Sequence, residues 1–295
     1  MNQASLTDAT QDDPKLFKAL MDRPVIAWPT VFLCFAAFGL FGAVSFAYMS
    51  GALSLAWAIG LNTIASYISF TVVHDASHSA VSTNRRVNDW FGRIGMLLLE
   101  PTPIFKTFRA IHMQHHKFTN DPKKDPDFYA GSGPFWLLPF KWLTLDVAYF
   151  HYYLAPNVFK KRPKNERVEF FIGLGIGVAM VTAAALNGLL DLYLLLFFIP
   201  TRIVKFILGS VFDYLPHYPH KAQSQKAPFQ STSNRIGLEW LITPLFLYQN
   251  YHLAHHLYPT VPFYRNLKVW VAKKNYHLTQ NPALVPAFSL KPKTK

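Results

Sequence analysis

The chain alternates between long apolar blocks and polar segments that carry most of its positive charge. Four blocks run for about 18 residues or more with almost no charge, which is the length of a membrane-spanning helix. They extend from about Val25 to Met49, Ala52 to Val73, Val168 to Leu186 and Leu189 to Phe212. At 1.5 Å per residue, about 22 helical residues reach roughly 33 Å, enough to cross a bilayer. The links within each pair of blocks are short, so the pattern predicts an all-α integral membrane protein built from two hairpins.

The distribution of Lys and Arg predicts the orientation of these hairpins. The formal net charge is +13, yet the short link inside each hairpin has no Lys or Arg. Residues 74–167 contain fourteen Lys and Arg residues, and the segment after Phe212 contains ten. Because cytoplasmic loops collect Lys and Arg, we expect both termini and the central segment to be cytoplasmic, in a bacterial inner or thylakoid membrane. Nucleic acid is not an expected partner, because the charges flank apolar blocks rather than form a groove-sized polar face.

The sequence predicts one membrane domain over residues 24–290, preceded by a polar tail over residues 1–23. We expect the tail to be cytoplasmic and poorly ordered. Two broken apolar stretches, Trp90 to Ile104 and Phe135 to Tyr153, are interrupted by proline or charge, and are typical of interfacial or re-entrant helices. The single cysteine, Cys34, excludes a disulfide framework and a thiolate metal site.

The third and fourth predicted spans contain residues that are unusual in apolar helices. Gly173 and Gly177 have the four-residue spacing of a close helix–helix contact. Arg202 and Lys205 lie within the fourth span, where long basic side chains can reach along the helix to the membrane surface. We therefore expect both to extend toward the cytoplasmic face.

Eight of the twelve histidines fall in three short boxes that point to metal binding. The boxes are HDASH with His74 and His78, HMQHH with His112, His115 and His116, and HLAHH with His252, His255 and His256. Residues three and four apart share one face of a helix, so each box can offer two or three imidazoles to one point. All three boxes lie on the predicted cytoplasmic side, where distant segments can converge. A structural coincidence does not readily explain this pattern.

The number of histidines favours two metal ions over one. A zinc ion takes about four ligands and an octahedral ion about six, so eight imidazoles exceed one ion. Imidazole suits iron, zinc, copper and nickel, and the ligands alone leave the metal open. A ninth ligand is expected at His217 in the sequence DYLPH, with Asp213 four residues earlier as a partner for a ligand or a metal-bound water. Pro216 disfavours a helical conformation at Leu215, so Asp213 and His217 need not lie on one face of a helix.

Metal-binding imidazoles usually donate their second ring N–H to an acceptor close by. Asp75, Asp121 and Asn250 adjoin the boxes and are the expected acceptors. For Asp125 and Asp127, the sequence supports this role and that of solvated loop carboxylates equally. No catalytic residue is expected beyond the metal ligands, and no haem-binding or flavin-binding segment is recognisable.

The boxes and their surroundings resemble the membrane fatty-acid desaturase/hydroxylase superfamily. The segments HDASHSAVSTNRRVNDWFGR, HMQHHKFTNDPKKDPD, FDYLPHYPH and QNYHLAHHLYPTVPFYR are similar to those of cyanobacterial-type β-carotene ring hydroxylases within it. The resemblance implies two iron ions, O2 as co-substrate and hydroxylation at carbon 3 of a β-ionone ring. By position it implies nine ligands: His74, His78, His112, His115, His116, His217, His252, His255 and His256.

The resemblance also implies a substrate and an electron donor for the protein. Two other functions stay open. A lipophilic substrate is expected to enter from the membrane lipid, and an external donor such as a ferredoxin to supply electrons. A fatty-acyl desaturase or hydroxylase on the same scaffold is the first alternative. A membrane metal transporter or sensor is the second, but its ligands should lie near the bilayer midplane.

Overall fold

The computed structural model describes residues 11–292, and helices dominate that part of the chain. Four helices are long and apolar enough to cross a bilayer: Trp28–Met49, Leu55–Ser77, Lys164–Leu186 and Leu190–His217. We call them spans 1 to 4. The predicted all-α architecture with four membrane spans is confirmed. Span 2 and span 4 each continue beyond the predicted end, and the added residues carry histidines.

Span 4 is continuous but not uniformly α-helical. Two π-helical stretches, Leu194–Phe198 and Gly209–Tyr214, alternate with α-helix at Leu190–Tyr193, Ile199–Leu208 and Leu215–His217. Such π-bulges in α-helices are frequent at functional sites. The second stretch here lies directly before His217, at the end of the span where the histidines gather.

The segments between and after the spans are also largely helical. The further helices are Pro14–Met21, Arg85–Leu99, Phe105–Phe118, Phe128–Gly131, Phe135–Leu137, Leu138–Leu143, Leu145–Leu154, Pro156–Phe159, Glu239–Leu245, Gln249–Tyr251, His252–Leu257, Phe263–Arg265, Asn266–Ala272 and Lys274–Thr279. Two short strands, Ser233–Ile236 and Ala283–Pro286, pair in parallel. Together with the central helices they form a cap at the end of the spans.

The exposed surface of the helices is strongly apolar, as a lipid-facing surface requires. Phe32, Phe35 and Phe46 of span 1 are each more than 65% exposed. The Arg85–Leu99 helix buries Met96 but exposes Trp90, and such one-sided helices are typical of the membrane interface. This agrees with the expected interfacial placement, which stays a prediction.

The two glycines of span 3 permit a close contact, but not with another helix. A Cβ atom at Gly177 would lie 2.7 Å from the carbonyl oxygen of Pro101, and one at Gly173 would lie 2.5 Å from a methyl group of Ile104. The partner is therefore the loop between the Arg85–Leu99 and Phe105–Phe118 helices. The expected close packing is present, and the expected helical partner was wrong.

The N-terminal segment is ordered where the structure describes it, contrary to expectation. Residues 1–10 lie outside the described part of the chain. Asp13 caps the Pro14–Met21 helix by accepting a hydrogen bond from the amide of Leu16, at 2.9 Å. Its own amide donates to the carbonyl of Ala272, at 2.8 Å. The helix is stable because it buries Leu20 against the C-terminal helices, so the tail belongs to the cap.

The basic residues of span 4 pair with acidic side chains of the central segment instead of extending along the helix, so that expectation was wrong. Lys205 is only 5% exposed, and its Nζ lies 3.0 Å from Oε1 of Glu100. Arg202 pairs with Asp146, with Nη2 and Oδ2 separated by 2.5 Å. Both basic groups are neutralised inside the protein, because acidic side chains from the central segment meet them there.

Candidate metal centre

The ends of spans 2 and 4 carry two of the four chain segments that supply the site. His74 lies in the final turns of span 2, and His78 caps that helix. His217 is the last residue of span 4, because Leu215 keeps right-handed helical geometry before Pro216. The expected disruption at Leu215 was wrong. Proline is tolerated there because it stands near the end of the helix, where few further hydrogen bonds are lost.

The structure brings all nine predicted histidines into two compact groups, with their ligand atoms within 4.8 Å of one another in each group. The five-histidine group contains His74, His78, His112, His116 and His255. The four-histidine group contains His115, His217, His252 and His256. All the members are buried or half-buried.

Each HxxHH box contributes to both groups. His112 and His116 are four residues apart and reach the five-histidine group, whereas His115 between them reaches the other. In the third box the assignment is reversed, with His252 and His256 in the four-histidine group and His255 in the five-histidine group. A single helical turn therefore supplies ligands on two adjacent sides.

Distances between ring nitrogens fit metal coordination. Nε2 of His78 lies 2.8 Å from Nε2 of His112, and Nε2 of His116 lies 3.0 Å from that of His255. Two nitrogens bound to one ion at about 2.1 Å and at right angles are about 3.0 Å apart. The donor set thus fits two metal ions.

One nitrogen makes a pair of contacts that hydrogen bonding does not explain. Nε2 of His252 lies 3.1 Å from Nε2 of both His217 and His256. A ring nitrogen has one hydrogen or one lone pair in the ring plane, so it cannot serve two such partners well. A shared metal ion satisfies all three nitrogens at once.

Burial keeps most of these imidazoles in the form that binds metal. Six of the histidines have pKa values well below the usual range. Burial is the larger cause and repulsion from neighbouring imidazoles the smaller. The six are His78, His112, His116, His252, His255 and His256. Neutral imidazole has a free lone pair, and metal binding requires the deprotonated ligand. These six side chains need not lose a proton to bind an ion near neutral pH.

His115 has a different electrostatic environment. Burial lowers its pKa, but the carboxylates of Asp125 and Asp127 outweigh this and raise it to about 9. Nδ1 of His115 lies 2.9 Å from Oδ1 of Asp125 and 3.4 Å from Oδ2 of Asp127. The amides of Asn120 and Asp127 also donate to Asp125 and fix its position. The pair of carboxylates orients the ring, with Nδ1 toward Asp125 and Nε2 available to the four-histidine group.

Three of the expected hydrogen-bond acceptors hold other groups instead. Asp75 accepts from the hydroxyl of Thr30 at 2.7 Å and from the amide of Phe263 at 3.2 Å. Asp121 accepts from the amides that follow it in its own loop. Asn250 donates to the carbonyl of Arg235 and the hydroxyl of Thr243. Within residues 11–292 none of these three meets a histidine, because neighbours in sequence on a helix or loop point in different directions.

Asp213 does lie beside the site, and Gln249 is a neighbour that the sequence did not reveal. Asp213 lines the same cavity as His115 and His252. The amide group of Gln249 lies 3.4 Å from Nδ1 of His74, and its Oε1 is buried without a partner. If Nε2 of His74 were to hold a metal ion, Nδ1 would carry the ring hydrogen. The amide orientation that turns Oε1 toward it satisfies both groups.

An apolar cavity leads away from the histidines. His74, His112, His115 and His252 line one end, whereas Glu100, Asp146 and Lys205 line the other. Aromatic rings form much of the wall between them. The ring of Phe108 stacks on that of His112 with centroids 5.6 Å apart, and Phe70 packs against Phe212. Apolar walls of this kind are typical of pockets for small apolar molecules.

Comparison with known proteins agrees with this site. Residues 51–280 match the family model described as fatty acid desaturase. The dihydrorhizobitoxine desaturase of Bradyrhizobium elkanii is 26% identical over 66% of this chain and 60% of its own length. The zeaxanthin 4-ketolase of Chlamydomonas reinhardtii is 26% identical over 74% of this chain and 43% of its own length.

A third relative is named for an acyl-lipid substrate. The sn-1 oleoyl-lipid 12-desaturase of Arthrospira platensis is 27% identical over 66% of this chain and 61% of its own length. The chain thus spans between 43% and 61% of these relatives. The family match covers most of the chain and all nine histidines. The chain belongs to the fatty acid desaturase family.

Proposed function

We propose that this protein binds two iron ions in its two histidine groups and uses O2 to oxidise an unactivated C–H bond of a lipophilic substrate. The observation that carries the proposal is the opening of an apolar, aromatic-walled cavity directly onto both groups of buried imidazoles. A metal transporter would need ligands near the bilayer midplane. The nine histidines instead belong to the ends of spans 2 and 4 and to the cap.

The iron pair would supply activation of O2, and the surrounding residues prepare the site for it. Asp125 holds the ring of His115, and Gln249 does the same for His74. Phe70, Phe108 and Phe212 keep water away from the reacting carbon and present an apolar surface to the substrate. Preorganised ligands and a dry cavity are the contributions that a protein makes to such metal chemistry.

We place hydroxylation at carbon 3 of a carotenoid ring first among the possible reactions. The motif FDYLPHYPH resembles that of β-carotene ring hydroxylases, and one relative is a zeaxanthin ketolase. Desaturation of an acyl lipid is the second candidate, because another relative is an oleoyl-lipid desaturase. Both reactions fit one metal site: insertion of oxygen into one C–H bond gives an alcohol, and removal of two hydrogens gives an alkene.

Either reaction consumes O2 together with two electrons and two protons from outside the chain. Hydroxylation returns the alcohol and one water, whereas desaturation returns the alkene and two waters. We assign electron supply to an external donor of ferredoxin type, which the basic segments flanking the spans would attract. Their charge also supports a cytoplasmic location for the metal centre and both termini, in a bacterial inner or thylakoid membrane.

Expression in a β-carotene-producing bacterium tests the proposal directly. We expect the wild type to form a more polar, hydroxylated pigment, and the His115→Ala variant to leave β-carotene unchanged at equal protein levels. Unchanged pigment together with new double bonds in membrane lipids would move the substrate to the acyl class. Full turnover by the His115→Ala variant would contradict the metal-centred mechanism.

A further inference from the structure

Two of the nine histidines are accessible from the protein surface. His116 of the five-histidine group and His256 of the four-histidine group are half-buried, whereas the other seven are buried. The two rings stack on each other, with centroids 4.1 Å apart and an angle of 20° between the ring planes. We call His116 and His256 the stacked pair. It brings both histidine groups to the surface at one place.

The stacked pair and the substrate cavity lie on different sides of the site. The histidines that line the cavity are His74, His112, His115 and His252. From these rings the cavity runs to Lys205, which stands twelve residues before the end of span 4 at His217 (217 − 205) and therefore well inside the span. A substrate that occupies the cavity leaves the stacked pair accessible from the cap.

Exposed lysines follow the second histidine box. Lys117, Lys123 and Lys124 are exposed, and the ring of Phe118 between them is half-exposed. Nζ of Lys117 and Nζ of Lys124 lie 5.2 and 5.1 Å from the centre of this ring, so cation–π contacts hold both ammonium groups beside it. We call Lys117, Phe118, Lys123 and Lys124 the basic patch.

The basic patch borders both rings of the stacked pair. Lys117 follows His116 directly in the chain. Phe118 is followed by Thr119, whose hydroxyl lies 3.5 Å from Nδ1 of His256. Each of the two metal-binding rings is therefore reached from the patch through at most one intervening residue.

The charge around the stacked pair has one sign. Residues 114–124 contain three lysines and a single acid, Asp121, which accepts hydrogen bonds from amides of its own loop. A second loop, residues 218–236, is joined to the first by a backbone hydrogen bond of 3.3 Å. It adds the exposed Lys221 and Lys226 but no Asp or Glu. The surface beside the stacked pair therefore attracts an acidic partner.

From this arrangement we infer that the basic patch is the docking surface for an acidic one-electron donor protein, and that electrons enter the metal centre through the stacked pair. The inference rests on the proposed oxidation, which needs two electrons from outside the chain. Each docked donor is oxidised by one electron, so two successive encounters supply both. Electron transfer slows steeply with distance, and the stacked pair gives each histidine group a route from the surface through a single ring.

Anionic lipid headgroups also attract lysines, but the position of the basic patch favours a protein. The cavity extends from the histidines into span 4, so the membrane lies on the cavity side of the site. The stacked pair lies on another side. Electron-transfer complexes are commonly small and weak, and complementary charge sets their rate of association. A cluster of lysines around one aromatic ring suits such an encounter.

Binding of a plant-type [2Fe–2S] ferredoxin, which is acidic, tests the docking surface. The iron-loaded full-length protein is placed in nanodiscs of phosphatidylcholine, a lipid without net charge. We expect the triple variant Lys117→Glu/Lys123→Glu/Lys124→Glu to bind the ferredoxin at least about tenfold more weakly than the wild type, because three attractions become repulsions. Added salt should weaken binding to the wild type but not to this variant.

A matched control separates the position of the charges from their number. The variant Lys15→Glu/Lys18→Glu/Lys268→Glu makes the same change in net charge at three exposed lysines outside the basic patch. We expect its affinity for the ferredoxin to stay within about threefold of wild type, since isolated surface charges contribute little. Equal losses in the two triple variants would overturn the inference.

Chemical cross-linking locates the contact directly. A carbodiimide joins ammonium and carboxylate groups that touch, and mass spectrometry identifies the linked residues. In the wild-type complex with ferredoxin we expect links to the lysines of the basic patch. Links to the control lysines in their place, or no binding of ferredoxin to the wild type, would overturn the inference.

Reduction of the iron-loaded protein in the absence of O2 tests the route of the electrons. With dithionite, a small reductant, we expect the patch variant to be reduced as fast as the wild type, which shows that its iron is intact. With limiting ferredoxin it should be reduced at least about tenfold more slowly. Equal rates with ferredoxin, or a defect that appears only in nanodiscs with anionic lipid, would overturn the inference. Absence of any oxidation product would defeat the proposed function instead, and would leave docking and reduction unaffected.

Discussion

His115 and Asp125 lie ten residues apart in the sequence and share a buried hydrogen bond of 2.9 Å between Nδ1 and Oδ1. Asp125 is held in turn by two backbone amides of its own loop. The imidazole of His115 therefore has a fixed orientation before any metal binds. Fixing a ligand in this way strengthens metal binding and is a common arrangement around metal-bound histidine.

Replacing Asp125 by Asn should weaken iron binding without unfolding the protein. The amide keeps an oxygen near Nδ1 of His115 but removes the negative charge, so we expect about 10–100-fold lower iron affinity. Iron titration of the apoprotein measures this. Asp121→Asn is the matched control, because Asp121 accepts hydrogen bonds from amides of its own loop, and this variant should keep the affinity within about twofold of wild type. Equal losses in the two variants would show that the effect is not specific to His115.

Replacing His217 by Ala should remove one of the two ions. His217 is one of four histidines in its group, and its removal leaves that group one imidazole short. We expect iron content to fall from about two to about one per chain, because the five-histidine group is intact. Elemental analysis of the folded protein reports this stoichiometry. His151 is exposed, and His151→Ala should retain both ions.

Replacing Gln249 by Leu should affect the five-histidine group alone. The apolar side chain leaves Nδ1 of His74 without an acceptor, and a buried unpaired N–H costs about 1–3 kcal/mol. We expect weaker iron binding at one of two sites, seen as a second, weaker phase in a titration. A variant that binds both ions as tightly as the wild type would show that Gln249 does not orient His74.

Asp75 should act on stability rather than on metal binding. It joins three segments, since it accepts hydrogen bonds from Thr30 in span 1 and from the amide of Phe263 in the cap. Asp75→Asn should lower the free energy of unfolding by about 1–3 kcal/mol, measured by denaturant titration in detergent. Thr30→Ser keeps the hydroxyl and should cost less. Loss of iron binding with unchanged stability would instead show that Asp75 supports the metal site.

The features that the sequence predicts well are local. The apolar blocks set the four spans, and the spacing within each box puts its imidazoles on neighbouring faces of one helix. Both depend on residues a few positions apart. The sequence predicts ends for spans 2 and 4 that are too early, because the apolar pattern stops before His74 and His217. The helices continue through these polar residues, since the imidazoles are buried in the histidine groups.

The features that were missed depend on distant contacts. Asp75 and Asn250 adjoin the boxes but turn away from them, whereas Asp125 reaches His115 through a loop that folds back. Lys205 was expected to extend to the surface, because its partner Glu100 is 105 residues away in the sequence and no local pattern relates the two. The division of the nine histidines into five and four likewise follows from how three segments meet.

The central claim is that each histidine group holds one iron ion. Anomalous diffraction from crystals of the purified protein, recorded on both sides of the iron absorption edge, measures this directly. We predict two iron peaks per chain. One should lie among His74, His78, His112, His116 and His255, and the other among His115, His217, His252 and His256. A single peak, peaks outside these rings, or no transition metal in active protein would contradict the account.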